Sequence, residues 1–322
     1  MKLASVESKG REILAVQFDD QHLIDLSAAI HALAPHAQFD SMLGLIEGGD
    51  EGLDLARRAY ETAHRASSQV ERIPMASVAW YAPVRNPGKI VCLALNNSAN
   101  KDRIIHGPTH PATFIKPASA LIGHGHAIEC KFFYGRTHPE PELAVVIGKV
   151  AKGVSAANAH HHVIGYTIHN DITSPTMRGE DTFHYRAIHP RPGDPEATDY
   201  ADTWVSYPGR YKCADTFACM GPWLVTADEI ADPNNLAVQC RHRHKLITED
   251  NTANLVHKIP DVIAFISGYM TLRPGDIISM GTALRPSGNV GAVQNIDLNK
   301  LGGPISVTIE GIGTLVNEVI CS

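Results

Sequence analysis

A β-dominated α+β fold is predicted for this chain, and three observations predict it. From about residue 89 to the C-terminus, short β-branched runs alternate with Gly and Pro turns. Only one helical pattern interrupts them late in the chain, over residues 260–270. Residues 1–80 instead mix strand and helix signals and read as a small α/β N-terminal domain. Many strands with few helices imply a sandwich, roll or barrel rather than a doubly wound sheet.

The elements follow in chain order. Residues 13–16 and 22–26 read as strands, with Asp19 and Asp20 as the turn between them. Ser41 is placed to cap a helix that begins at Met42, and Asp50 to cap another running to about Ala66. Pro83, Pro87 and Gly88 punctuate a linker, after which the second domain, residues 89–322, opens on the strand-like run 89–95. Further strands are predicted at 144–147, 164–168, 223–226, 277–280, 305–309 and 314–319. The late helix turns Ile263, Ile266 and Ser267 inward. Residues 176–210 are polar, aromatic and proline-rich, and too long for a plain connection; a stretch of this kind is expected to be a lid or binding loop.

Composition narrows the function. With 44% hydrophobic and 19% charged residues, the 322-residue chain has the means to build a sizeable core. A net charge of -6 without a basic block argues against nucleic acid or an anionic membrane as partner. No apolar stretch reaches membrane-span length, and the N-terminus lacks a signal-peptide core, so the cytoplasm is the expected location. Cys92, Cys130, Cys213, Cys219, Cys240 and Cys321 show no C-x-x-C spacing and read as reduced, mostly buried thiols.

The most informative residues are Glu140 and Glu142, at the mouth of the apolar run 143–148. On a strand, residues two apart share a face, so both carboxylates project into one small volume. They repel each other and raise each other's pKa unless a cation sits between them. A second apolar run, 163–168, ends in His169-Asn170-Asp171 and offers a third carboxylate. An oxygen-only set suits magnesium, manganese or calcium better than zinc. The plainer reading is a solvated edge strand, with Pro141 marking a missing ladder bond. Other candidates carry less. Neighbouring side chains of His160-His161-His162 diverge, and His242 and His244 lack a zinc-like partner set. Ser287 lacks the flanks of a nucleophile elbow, and Gly302-Gly303 opens no helix that would cradle phosphate.

The order of further motifs is specific. Lys89-Ile90-Val91-Cys92-Leu93 precedes Phe114-Ile115-Lys116-Pro117, then Glu140-Pro141-Glu142-Leu143-Ala144-Val145-Val146-Ile147-Gly148-Lys149. Gly165-Tyr166-Thr167 leads to Asn170-Asp171-Ile172-Thr173, then Lys212, Asp215-Thr216-Phe217 and Gly221-Pro222-Trp223-Leu224. Leu272-Arg273-Pro274-Gly275-Asp276, Gly281-Thr282 and Glu310-Gly311-Ile312-Gly313 close the series. The series resembles the fumarylacetoacetate hydrolase family, bacterial two-domain type, over about residues 89 to 319.

The resemblance implies a mixed β-sandwich roll and a homodimer that holds magnesium, with manganese or calcium as alternatives. By motif position Glu140, Glu142 and Asp171 match the metal carboxylates and Lys212 the active-site lysine. Thr282, beside Gly281, matches the substrate-contacting threonine. Family members act on 2,4-dioxo acids and related keto acids, by hydrolysing a C–C bond, decarboxylating or shifting a double bond. A dicarbonyl acid chelates a hard cation, which stabilises an enolate as Lewis acid, while the Lys212 ammonium adds positive potential.

The chain also departs from the family. Where hydrolytic members carry a histidine and a glutamate that activate water, Asn100 and Arg103 stand here, and an amide is no general base near neutral pH. Pro175 and Thr176 replace an Arg-Asp pair. The stretch that follows, with Arg178, His184, Tyr185, Arg186, His189 and Arg191, is expected to cover the site and supply replacement groups; His106 and His110 are the other candidate bases. The first expectation is hydrolysis of a C–C bond in a β-dicarbonyl acid, with Lys212 and His106 catalytic. Thr282, Gly281, Asn100, Arg178 and His184 are then expected to contact substrate. The alternatives are an isomerase, tautomerase or decarboxylase on the same platform, or a member that binds a keto acid without turning it over.

Overall fold

The computed structural model describes residues 1–37, 39–65, 70–285 and 293–322. Ser287 and Ala66 lie outside the described residues. Strand exceeds helix, 38% against 27%, and the β-dominated α+β fold is present.

The N-terminal segment supplies β1 (Lys2–Ser8), β2 (Arg11–Gln17), β3 (His22–Asp25), α1 (Leu26–Leu33), α2 (Met42–Glu47), α3 (Gly49–Ala63), β4 (Ile73–Pro74) and β5 (Ala79–Trp80). Leu26 begins a helix rather than ending a strand, because the Asp25 side chain accepts from the Ala28 N–H at 2.9 Å and caps it. Ser41 caps α2 as expected, accepting from the Gly44 N–H at 3.1 Å. Asp50 sits inside the first turn of α3 instead of at its cap, where its charge favours the helix N-terminus.

The remainder contributes β6 (Ile90–Ala94), β7 (Ala112–Lys116), β8 (Leu121–Ile122), β9 (Ile128–Cys130), β10 (Pro141–Ile147) and β11 (Val163–Asp171). Then come α4 (Pro175–Glu180), β12 (Phe183–Arg191), β13 (Asp194–Val205), α5 (Arg210–Cys213), β14 (Ala218–Thr226), β15 (Ala237–His242) and β16 (Lys245–Asn251). The chain closes with α6 (Ile259–Tyr269), β17 (Ile277–Ser279), α7 (Leu298–Leu301), β18 (Ile305–Ile309), β19 (Gly313–Asn317) and β20 (Val319–Cys321).

A 12-stranded mixed sheet runs β4-β3-β2-β1-β14-β11-β10-β17-β6-β7, with β5 on β1 and β8 on β14. The N-terminal strands belong to the same sheet as the rest, because β1 pairs antiparallel with β14. A four-stranded sheet, β16-β15-β18-β19, packs beside it. Strand β10 is buried along its whole length, since its two faces enter different cores. Leu143, Val145 and Ile147 join the large core, while Ala144 and Val146 join the core under the N-terminal helices. This period-two split explains why its sequence is uninterruptedly apolar. It also fixes the direction of the strand end that carries Glu142.

Residues 176–210 do not form a loop. They contain α4 and an antiparallel ribbon in which Phe183 faces Val205 and Ile188 faces Tyr200. Neither strand of the ribbon alternates polar and apolar residues, because both faces are largely exposed.

Candidate metal centre

Antiparallel pairing of β10 with β11 sets Pro141 opposite Asn170 and Glu142 opposite His169. The start of one strand and the end of the other therefore bring their acids together. The Asp171 N–H donates to the Glu140 carbonyl at 2.9 Å, and the Glu140 N–H donates to Asn170 Oδ1 at 3.0 Å, which pins the crossing. One carboxylate oxygen from each of Glu140, Glu142 and Asp171 lies within 4.8 Å of the other two. Glu142 and Asp171 are buried, while Glu140 keeps 15% of its side chain exposed.

Two ammoniums face these acids. Lys212, on α5, donates to Glu140 Oε2 and Asp171 Oδ2, both at 2.6 Å. Lys116, at the end of β7 and fully buried, donates to Asp171 Oδ1. Glu142 has only neutral donors: Ser279 Oγ at 2.5 Å, the Gly281 N–H at 3.1 Å and Thr282 Oγ1 at 3.1 Å. Because the Ser279 hydroxyl donates to Glu142, His169 Nδ1, 2.6 Å from that hydroxyl, carries the proton and donates to it. His169 Nε2 is then a bare acceptor, and it has no partner among the described residues.

The electrostatics separate the three acids. Burial would raise Asp171, but Lys116 and Lys212 outweigh it and hold the carboxyl well below the usual carboxylate range. Burial would lower Lys212, yet Asp171, Glu140 and Glu142 hold it far above the ordinary lysine value, so it stays an ammonium. Glu142 is pushed up to about 8, by burial first and then by Asp171 and Glu140. Burial pushes His169 down to about 3. Two ammoniums balance Asp171 and Glu140 while Glu142 keeps its proton, and once Glu142 ionises one negative charge is in excess on the residue with no cationic partner. The centre therefore demands a further cation, and its oxygen-only donors fit a hard divalent ion held by Glu140, Glu142 and Asp171.

A cavity of about 370 Å³ opens over Glu140 and Lys212. Phe114, Tyr211 and Leu93 form apolar wall, and the Lys212 Nζ lies 5.1 Å from the Phe114 ring centre. Asn100, Thr282, Arg178 and His138 also line it. Of the residues singled out in the sequence, Glu140, Glu142, Asp171, Lys212, Gly281 and Thr282 converge here. His106 is exposed outside the cavity lining. His184 lies on the ribbon, stacked on Trp204 at 4.2 Å, and His110 stacks on Phe265 at 5.1 Å. Lys116, His138 and Ser279 are members of the site that sequence reasoning missed. A lysine closing an apolar strand and a histidine two residues before Glu140 were their only signals.

The sequence profile described as fumarylacetoacetate (FAA) hydrolase C-terminal matches residues 89–320. The chain belongs to the fumarylacetoacetate hydrolase family. Among relatives, it is 31% identical over 286 residues to the mitochondrial oxaloacetate tautomerase Fahd2a of Rattus norvegicus, covering 87% of this chain and 80% of that one. Among solved structures of the family, maleylpyruvate hydrolase from Sphingobium sp. SYK-6, in complex with manganese (II) ion and pyruvate, is 28% identical. The match covers 100% of both chains, with a TM-score of 0.71. The 5-carboxymethyl-2-hydroxymuconate delta-isomerase of Mycobacterium smegmatis is 25% identical with a TM-score of 0.67, covering 100% of this chain and 99% of that one. The family thus contains hydrolases, isomerases and tautomerases on one fold. No helix among the described residues is long and apolar enough to cross a membrane.

Proposed function

We propose that this chain is a divalent-cation-dependent isomerase that moves a proton between carbon and oxygen of a 2-oxo acid, interconverting enol and keto forms. One observation carries the choice over hydrolysis. Asn100 is buried at the cavity wall, and its Oδ1 accepts from Arg103 Nη1 at 3.4 Å. An amide held by a guanidinium does not activate water. The likeness to oxaloacetate tautomerases supports the same reading.

Each residue then has a defined part. When bound, a divalent ion, magnesium or manganese, supplies Lewis-acid stabilisation of negative charge on the substrate oxygens. Lys212, permanently charged, places positive potential beside the same oxygens. Thr282 and Gly281 hold the Glu142 carboxylate in place. His138, whose pKa is lowered chiefly by burial, is a neutral imidazole with a free ring nitrogen lone pair, the form a general base requires.

A C–C hydrolase acting on a β-dicarbonyl acid is the second reading, favoured by one contact. His138 Nδ1 lies 3.9 Å from Glu140 Oε1, a histidine–carboxylate pair able to poise a water. Metal-stripped protein restored with magnesium or manganese, offered 2-oxo and 2,4-dioxo acids with product analysis, separates the two. Enol loss without new acids supports isomerisation; release of two smaller acids transfers the assignment to hydrolysis.

A further inference from the structure

Glu142 has no cationic partner, yet its carboxylate is held by a chain of hydrogen bonds that crosses three strands. Antiparallel pairing sets His169 of β11 opposite Glu142 of β10, and Ser279 of β17 opposite Ala144, two residues further along β10. Residues paired across strands or spaced by two share a face, so the three side chains emerge on one side of the sheet. His169 Nδ1 then lies 2.6 Å from Ser279 Oγ, and Ser279 Oγ 2.5 Å from Glu142 Oε2. All three residues are buried, so the bonds are shielded from water. The chain has a cost, because His169 Nε2 is buried with no partner among the described residues. An apolar side chain would fill the same strand position without that orphan, so filling the core does not account for an imidazole here. The Gly281 N–H donates to the same Glu142 oxygen at 3.1 Å, whereas Oε1 receives Thr282 Oγ1, also at 3.1 Å.

We infer that His169 and Ser279 are positioning residues that commit Glu142 to ligation through one oxygen and so select a small divalent ion, magnesium or manganese, over calcium. This rests on the reading of Glu140, Glu142 and Asp171 as the cation's ligands and adds which ion they take. A serine hydroxyl has one hydrogen and can turn it toward either neighbour. A neutral imidazole with its proton on Nδ1 donates to Ser279 Oγ, which leaves that hydrogen Glu142 Oε2 as its acceptor. With two donors on Oε2 and one on Oε1, the capacity left for a cation is greater on Oε1. Calcium takes more ligands and often both oxygens of one carboxylate, whereas magnesium and manganese suit a compact octahedron of single oxygens. A Glu142 tethered through Oε2 therefore disfavours the larger ion.

The test is binding, so it does not depend on turnover. Metal-stripped protein is titrated by calorimetry with magnesium, manganese and calcium chlorides. His169→Leu and Ser279→Ala should each narrow the manganese-to-calcium affinity ratio by about tenfold, the effect of one hydrogen bond to a charged group. His169→Asn, whose amide N–H can stand where Nδ1–H does, should restore part of the ratio. Nitrogen NMR of the isotope-labelled, magnesium-saturated parent should show His169 neutral with its proton on Nδ1, a readout that stands even where a variant fails to fold. Variants that weaken all three ions by the same factor, or a His169 Nδ1 without its proton, would overturn the inference. A parent that binds none of the ions would overturn the metal centre and this inference together. The expected selectivity and tautomer, with no isomerisation of any oxo acid, would sink the proposed reaction and leave this inference standing.

Discussion

The two ends of the cavity are built by opposite strategies. At the metal end Glu142, Asp171 and Lys116 are fixed by paired strands, Lys212 reaches them from α5, and Asp171 and Lys116 are each 1% exposed. At the other end Arg103, Arg136 and Arg178 are exposed residues of α4 and connecting segments. Buried charge must be matched nearly one for one, because an unpaired ion in a low-dielectric interior costs several kcal/mol. Exposed charge can be left unmatched, since water solvates it. The comparison teaches that charge is balanced where the sheet buries it and left open where water reaches it.

The comparison breaks most readily at its buried end. Glu142→Gln should abolish tight divalent binding and lower kcat/KM on the order of 10³-fold, the value of several kcal/mol of lost Lewis-acid stabilisation. Parallel calorimetry and steady-state kinetics check this; a variant that keeps both contradicts the centre as assigned. Lys116→Met should cost about 3 kcal/mol or more of stability in urea unfolding, because it leaves the Asp171 charge undercompensated inside the protein. Added manganese should raise the melting temperature of that variant more than that of the parent protein.

A smaller effect concerns pH. Glu142 titrates at about 8 in the metal-free protein, so below that pH a metal ion must displace its proton. In the folded state the carboxyl is raised above its unfolded value, so between the two values the native state binds more protons and metal-free stability falls as pH rises. Metal affinity runs the other way. It should strengthen by up to about tenfold per unit between pH 6 and 8, then level off. Calorimetry in buffers of different ionisation enthalpy reads the released proton, and a flat profile would show that Glu142 is already ionised. The smallest effect is reserved for groups outside both ends. His106→Ala and His184→Ala should change turnover by less than about twofold and stability by no more than about 0.5 kcal/mol.

Much of the metal end was legible in the sequence, and the reason is local. Glu140 and Glu142 are linked by strand periodicity, and Asp171 closes an apolar run, so short-range pattern places all three at strand ends. Lys116 was not legible as a partner of Asp171, because their contact depends on how β6, β7 and β17 order themselves beside β10. Ser279 and His169 escaped for the same reason: they meet Glu142 across three strands. The ribbon β12–β13 has no strand signature in the sequence because neither face is buried, so no alternation is imprinted on its residues. For a replacement base the sequence points to residues 178–191, His106 and His110, and it carries little to mark His138, whose Nδ1 lies 3.9 Å from Glu140 Oε1. The continuity of the sheet from β1 to β14 left no sequence mark either, since the pairing of Leu3 with Leu224 spans most of the chain.

The central claim is that the buried carboxylate centre enolises a 2-oxo acid without breaking its carbon chain. The most direct measurement is proton NMR of a 2-oxo acid in deuterium oxide with the magnesium-restored protein. The account predicts metal-dependent exchange of the C3 hydrogens with the carbon skeleton intact, and loss of that exchange in Glu142→Gln. Cleavage into two acids at the rate of substrate loss, or exchange that persists without metal, would contradict it.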